Sequence, residues 1–176
     1  MFAKIKKNTF QLFIIKSGIL YGVSYLVYEF FVKKYTKLDQ LLIRKIIVAC
    51  ESILKLIGYK TFASKETDDI QVFGIDGSGG VWIGGPCNGM TLMFLFAIFV
   101  FVYPGNYKHK IWFIPLGILF VHFINVLRII ALALIANYYP QYLNFNHTYT
   151  FTFLVYTIVF GLWMLWVNKF SVKEVY

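Results

Sequence analysis

The sequence predicts an all-α membrane bundle of about four transmembrane helices, with one interfacial amphipathic helix and a short extracytoplasmic β-hairpin. Three observations predict it. Of the 176 residues, 59% are hydrophobic and only 14% charged, too few to cover a soluble fold of this size. Mean hydropathy is +0.67. Aromatics reach 20%, with many Tyr and Phe near segment ends, as in interfacial belts. Residues 1–176 read as one integral membrane domain.

The first apolar run, 10–31, reads FQLFIIKSGILYGVSYLVYEFF. Lys16 can snorkel toward one interface and Glu29 lies near the other. The run lacks a small-x-small cleavage site and reads as a retained span. The second run, 87–103, continues from Cys87-Asn88-Gly89 and stops at Pro104-Gly105-Asn106. With its glycine lead-in it reaches about 19 residues, toward the short end of the spanning range. The third, 111–136, is the longest, about 39 Å at helical rise. The fourth, 148–167, carries Trp163 and Trp166 near its end as interface anchors.

Residues 38–57 differ. Leu38, Leu41, Leu42, Ile46, Ala49, Cys50 and Ile53 recur at three- and four-residue spacing, while Asp39, Gln40, Arg44, Lys45 and Glu51 fill much of the rest. This amphipathic helix is too charged to span and is expected to lie flat on the bilayer or against the bundle. The soluble-looking loop 61–85 holds a hairpin. Ile70–Ile75 and Val81–Ile83 read as strands around the turn Asp76–Gly80, and the second strand delivers the chain to Cys87.

The net charge of +9 invites a nucleic-acid reading. The lysines scatter among hydrophobic segments instead of lining one face, so no nucleic-acid partner is expected. They suit loops beside anionic membrane lipid. Positive charge also orients the chain. With an inward N-terminus, Lys4, Lys6, Lys7, Lys108, Lys110, Lys169 and Lys173 are cytoplasmic, and 137–147 carries no Lys or Arg. Lys33, Lys34, Lys37, Arg44, Lys45, Lys55, Lys60 and Lys65 then fall outside, against this rule. No CxxC motif or Cys/His cluster occurs, so neither a metal nor another cofactor is expected.

This topology brings three chemically active residues to one membrane face. Cys87 sits in Gly84-Gly85-Pro86-Cys87-Asn88-Gly89, where glycines let backbone approach the thiol. A helix opening at Asn88 or Gly89 would favour the thiolate through its dipole. The alternative roles for Cys87 are an inert small hydrophobe or a disulfide with Cys50. Arg128 lies in the third span, about 12 Å from its Ala136 end. A guanidinium in such sequence is expensive and rarely idle. It either holds helices together, with Glu29 as the available carboxylate, or binds a developing oxyanion. Asn125 shares its helix face and can orient it or supply a further donor. His147, just before the fourth span, can act as base toward the thiol and acid toward a leaving amine. His122 points elsewhere on its helix, and His109 is expected on the opposite membrane face.

The ordered set Cys87-Asn88-Gly89, Asn125-Val126-Leu127-Arg128 and His147 resembles the exosortase/archaeosortase family of membrane cysteine transpeptidases. The short length resembles its subfamily F. The family usually has Ser after the Cys, where this chain has Asn88. The resemblance implies a thiol protease of the cell inner membrane with its active site on the extracytoplasmic side. Its substrates would be secreted proteins ending in a short motif, a hydrophobic helix and a basic tail. Cys87 would be the nucleophile, Arg128 the oxyanion stabiliser and His147 the acid/base, with Asn125, Asn88 and Gly89 supporting. The competing classes are a non-catalytic scaffold or accessory subunit and a transporter. The tail motif, the acceptor (water, lipid or glycan) and the oligomeric state are not encoded in any motif of this chain.

Overall fold

The computed structural model describes residues 7–67 and 70–171. Lys4, Lys6 and Lys173, which bear on orientation, lie outside the described residues. Helix α1, Lys7–Val27, continues through a π turn, Tyr28–Val32, into Lys33–Tyr35. Helix α2 is Leu38–Leu56. Strands β1 Thr61–Lys65, β2 Gln71–Ile75 and β3 Val81–Ile83 come next, then a 3-10 turn, Gly85–Cys87. Helices α3, Met90–Val102, and α4, Tyr107–Tyr138, succeed it. After Tyr139 the chain is helical again: Pro140–Tyr142, Leu143–Phe145, a π turn Asn146–Thr150, helix α5 Phe151–Leu165 and a π turn Trp166–Phe170.

Among the described residues, three stretches are long and apolar enough to cross a membrane: Gln11–Tyr35, Tyr107–Tyr138 and Pro140–Phe170. Each extends the predicted span, because helical backbone continues past the apolar core into flanking polar and aromatic residues. The second predicted span, 87–103, contracts to the 13 residues of α3, about 20 Å long against a hydrocarbon thickness of about 30 Å. Pro86 and the left-handed Gly89, φ +78°, keep the preceding residues in a turn and delay the helix. The segment 137–147, expected to be a loop, is helical from Pro140. Proline is preorganised for a first helical turn, so only Tyr139, φ −141° and ψ 57°, separates α4 from the turn that begins at Pro140.

α1, α3, α4 and α5 run alternately up and down. Phe13 meets Tyr103, with ring centroids 5.1 Å apart, and His109 meets Phe170 at 5.5 Å. One end of the bundle therefore holds the start of α1, the end of α3, the start of α4 and the end of α5. α1 touches the bundle through α3 and exposes Leu12, Ile15, Ile19, Val23 and Leu26 along its length. An apolar stripe with that exposure is suited to lipid.

α4 is the organising element. At 32 residues it is about 48 Å long, more than twice α3. Its first half packs with α3 and α5 around Phe96, Phe113, Val121, Val155, Val159 and Trp166. Trp166, expected at the interface, is fully buried, with its ring 5.1 Å from Phe113. Its helix face turns toward the start of α4 instead of toward headgroups. Trp163 stacks on Phe99 at 4.3 Å.

The second half of α4 rises beyond α3. Val126, Ile129, Leu132, Ala133 and Ala136 there pack against Ile43, Ile46, Cys50 and Leu54 of α2 and Phe73, Ile75, Val81 and Ile83 of the sheet. α2 thus lies against the bundle with its apolar stripe inward, as its period requires. The sheet has three antiparallel strands in the order β1-β2-β3. The predicted hairpin is β2–β3, with Val72 opposite Trp82. β1 was not predicted. It pairs Thr61–Lys65 with Ile75–Gln71 as a short edge strand whose Ser64 and Lys65 are exposed, which masks any alternation.

Close approach of α3 to α4 depends on Gly117. A Cβ there would lie 2.1 Å from the Phe96 ring. Gly117→Ala is expected to destabilise the protein by about 1–3 kcal/mol through overpacking. A detergent thermal-unfolding curve checks this, and adding Phe96→Leu should recover part of the loss.

Candidate active site

The turn carrying Cys87 is closed by backbone bonds from Cys87 N–H to the Gly84 carbonyl, 2.9 Å, and from Asn88 N–H to the Gly85 carbonyl, 3.3 Å. Gly89 then takes φ +78°, and a Cβ at that position would also press on the Asn125 amide at 3.3 Å. Both conditions call for glycine. α3 starts at Met90, so Cys87 lies just ahead of the helix cap rather than inside the first turn. The positive end of the α3 dipole still faces the turn.

Two buried amides hold this turn. Asn125 Nδ2 donates to the Cys87 carbonyl at 2.8 Å. Asn88 Oδ1 accepts from Met90 N–H at 2.8 Å, and Asn88 Nδ2 donates to Asp39 Oδ1. Asn88 and Asn125 are both fully buried. Asn125 was expected to orient Arg128 or supply a donor of its own. Its Nδ2 reaches the backbone of Cys87, because the α3–α4 approach at Gly89 puts that carbonyl within reach, while its Oδ1 has no hydrogen-bond partner among the described residues.

Cys87 Sγ lies 3.3 Å from His147 Nε2. His147 sits in the π turn Asn146–Thr150, a helix irregularity that often marks functional sites. Thr152 Oγ1 donates to the His147 carbonyl at 3.3 Å, so a side chain five residues on serves the carbonyl in the widened turn. Arg128, on α4, is 9% exposed. Its Nε has no hydrogen-bond partner among the described residues. The anticipated carboxylate, Glu29, is bonded to Lys33 at 2.9 Å: the helical i, i+4 neighbour is nearer to hand than a residue on another element.

Cys87, Arg128 and His147 all line one cleft of about 430 Å³. Its walls come from Leu92 on α3 and from Thr152, Val155 and Tyr156 on or beside the start of α5. A smaller cleft of about 280 Å³ lies on the other side of His147, toward Val81 and Trp82 of β3 and Asn144. His122 and His109 do not line either cleft. His109 sits at the opposite end of the bundle beside Phe170.

Both cysteines are free thiols, so Cys50 and Cys87 form no disulfide. Cys50 is fully buried, with Sγ 3.6 Å from the Val126 carbonyl. Burial pushes its pKa up to about 12, because an apolar surrounding penalises the thiolate.

Two residues at this site went unnoticed in the sequence. Asp39 was assigned to the polar face of α2, yet it is 8% exposed. Tyr28 Oη lies 2.7 Å from both of its carboxylate oxygens. A signal did exist. Asp39 is in helical register with the buried stripe Ile43, Ile46, Ile47, Cys50 and Leu54, four residues before its first member.

No curated protein and no solved structure matches the chain. The family model described as transmembrane exosortase matches residues 11–168, from the start of the first membrane helix almost to the end of the last. A match of that extent, on a multi-pass helical bundle, places this chain in the transmembrane exosortase family.

Proposed function

We propose that this exosortase is a membrane thiol protease and transpeptidase that cleaves the C-terminal sorting tails of secreted proteins. The observation that carries the reading is the 3.3 Å contact of Cys87 Sγ with His147 Nε2 in a cleft that Arg128 also lines. With its proton on Nδ1, His147 offers Nε2 as acceptor for the thiol proton. The thiolate attacks the scissile carbonyl carbon, forming a C–S bond and an oxyanion. Arg128 supports that charge: it is buried, lacks an ion-pair partner among the described residues and has donors to offer. His147 returns the proton to the leaving amine as the C–N bond breaks, and a thioester remains on Cys87. Water, or a hydroxyl or amine acceptor, then attacks the thioester carbonyl and gives its proton to His147. The C–S bond breaks, and the thiol is restored.

The cleft walls support the substrate class. Leu92, Val155 and Tyr156 form an apolar side between α3 and α5, suited to a hydrophobic tail entering sideways from lipid. Lys108, Lys110 and Lys169 belong to the opposite end of the bundle from Cys87. The contrast between Lys108 and Lys110 at that end and the absence of Lys or Arg from 137–147 supports reading it as cytoplasmic, with the site facing the extracytoplasmic side of the inner membrane and the basic end of a tail on the inner side.

Three outcomes are expected. Cys87→Ala leaves the protein inserted and folded but unable to cleave a tailed reporter, followed by gel mobility; cleavage at the normal rate in that variant would remove the nucleophile. Arg128→Lys keeps the charge but loses the planar fork, and kcat is expected to fall by about 10²–10³. Iodoacetamide near neutral pH should modify Cys87 and spare Cys50, as read by peptide mass spectrometry. Equal labelling of the two would contradict an activated Cys87.

A further inference from the structure

We infer that Asp39, held by Tyr28, is a positioning residue that acts through Asn88 to set the place of the Cys87 thiol. The inference rests on the reading of Cys87 as nucleophile and adds a residue from a different part of the chain.

The observations form one continuous path. Asp39 stands in the first turn of α2, where the helix dipole favours a carboxylate. Tyr28 comes from the π turn that follows α1, and its single hydroxyl proton is shared between the two Asp39 oxygens at 2.7 Å each. Asn88 Nδ2 donates to Asp39 Oδ1, and the other end of the same amide accepts from Met90 N–H at 2.8 Å. Asn88 is the residue next to Cys87, fully buried. Asp39 therefore fixes one side of the turn while Asn125 fixes the other through the Cys87 carbonyl. Between these two anchors the thiol meets His147 at 3.3 Å.

Stability alone does not account for this carboxylate. Asp39 occupies a place in the apolar stripe of α2, and no cation pairs with it among the described residues. Burying a carboxylate with only neutral donors is unfavourable compared with a packed hydrophobe. What a hydrophobe at position 39 cannot do is accept from Asn88. Losing that acceptor frees the Asn88 amide to turn, and with it the residue that carries the thiol. Displacements of about 1 Å at a reacting atom cost up to about 100-fold in rate.

The test uses the full-length protein in detergent or membranes, with two readouts. The first is kcat and KM for a tailed reporter. The second is the pH profile of Cys87 alkylation by iodoacetamide, which needs no substrate. Asp39→Ala is expected to lower kcat by about 10- to 100-fold with KM within about twofold, and to change the alkylation profile. Asp39→Asn keeps an oxygen facing Asn88 and is expected to restore most of kcat. Tyr28→Phe should fall between wild type and Asp39→Ala. If Asp39→Ala does not fold, Tyr28→Phe decides. A folded Asp39→Ala with wild-type kcat and alkylation profile would overturn the inference. So would Tyr28→Phe at wild-type values where Asp39→Ala does not fold, or a loss that tracks only the amount of folded protein. Should Cys87→Ala still cleave the reporter, the proposed function fails on its own, while alkylation at Cys87 continues to report whether Asp39 positions that residue.

Discussion

The short α3 beside the long α4 is the constraint on which the rest depends. The two helices meet closely, Gly117 against Phe96 and Gly89 against Asn125, so the start of α3 is level with Asn125. α4 continues for 13 more residues to Tyr138, about 20 Å of helix. The turn before α3 is thus sunk beside α4 at the depth of Asn125 and Arg128. A full-length span of about 20 residues in place of α3 would raise Cys87 by about 10 Å, about two turns of α4 past Asn125.

The surplus length of α4 explains the remaining architecture. A helix standing above its neighbours exposes Ile129, Leu132, Ala133 and Ala136, and these are what α2 and the three-stranded sheet cover. The amphipathic helix and the small sheet are therefore one cap on one helix end, not separate decorations. The same cap supplies Asp39 and leads the chain from β3 directly into the Cys87 turn. The bend at Tyr139 returns the chain at once, so His147 comes back down beside the turn rather than remaining in an outer loop.

Polar groups at that depth have to find partners within the protein, since lipid offers none. The Cys87 carbonyl is bonded to Asn125, and the Asn88 amide bridges Asp39 and Met90 N–H. Two atoms there have no hydrogen-bond partner among the described residues: Asn125 Oδ1 and the Nε of the buried Arg128. A guanidinium left without a carboxylate in such surroundings favours whatever negative charge forms beside it. Cys50 shows the contrast. It is a thiol of the same chain placed among Ile46, Leu54 and Val126, where burial penalises its anion.

Much of this was legible in the residues. Composition and apolar runs determined a multi-pass helical bundle, period determined the inward stripe of α2, and the spacing of Cys87, Arg128 and His147 brought three reactive groups to one face. These readings rest on burial and on helical or strand period, which are local properties of a sequence. The length of α3, the helical start at Pro140, the burial of Trp166, the strand β1 and the partners of Asn125 and Asp39 were decided only in the tertiary structure. Each depends on which surface a side chain meets across the bundle. Asp39 is the clearest case: a carboxylate on an amphipathic helix reads as solvent-facing until a tyrosine from the π turn after α1 and an asparagine beside the cysteine are brought to it.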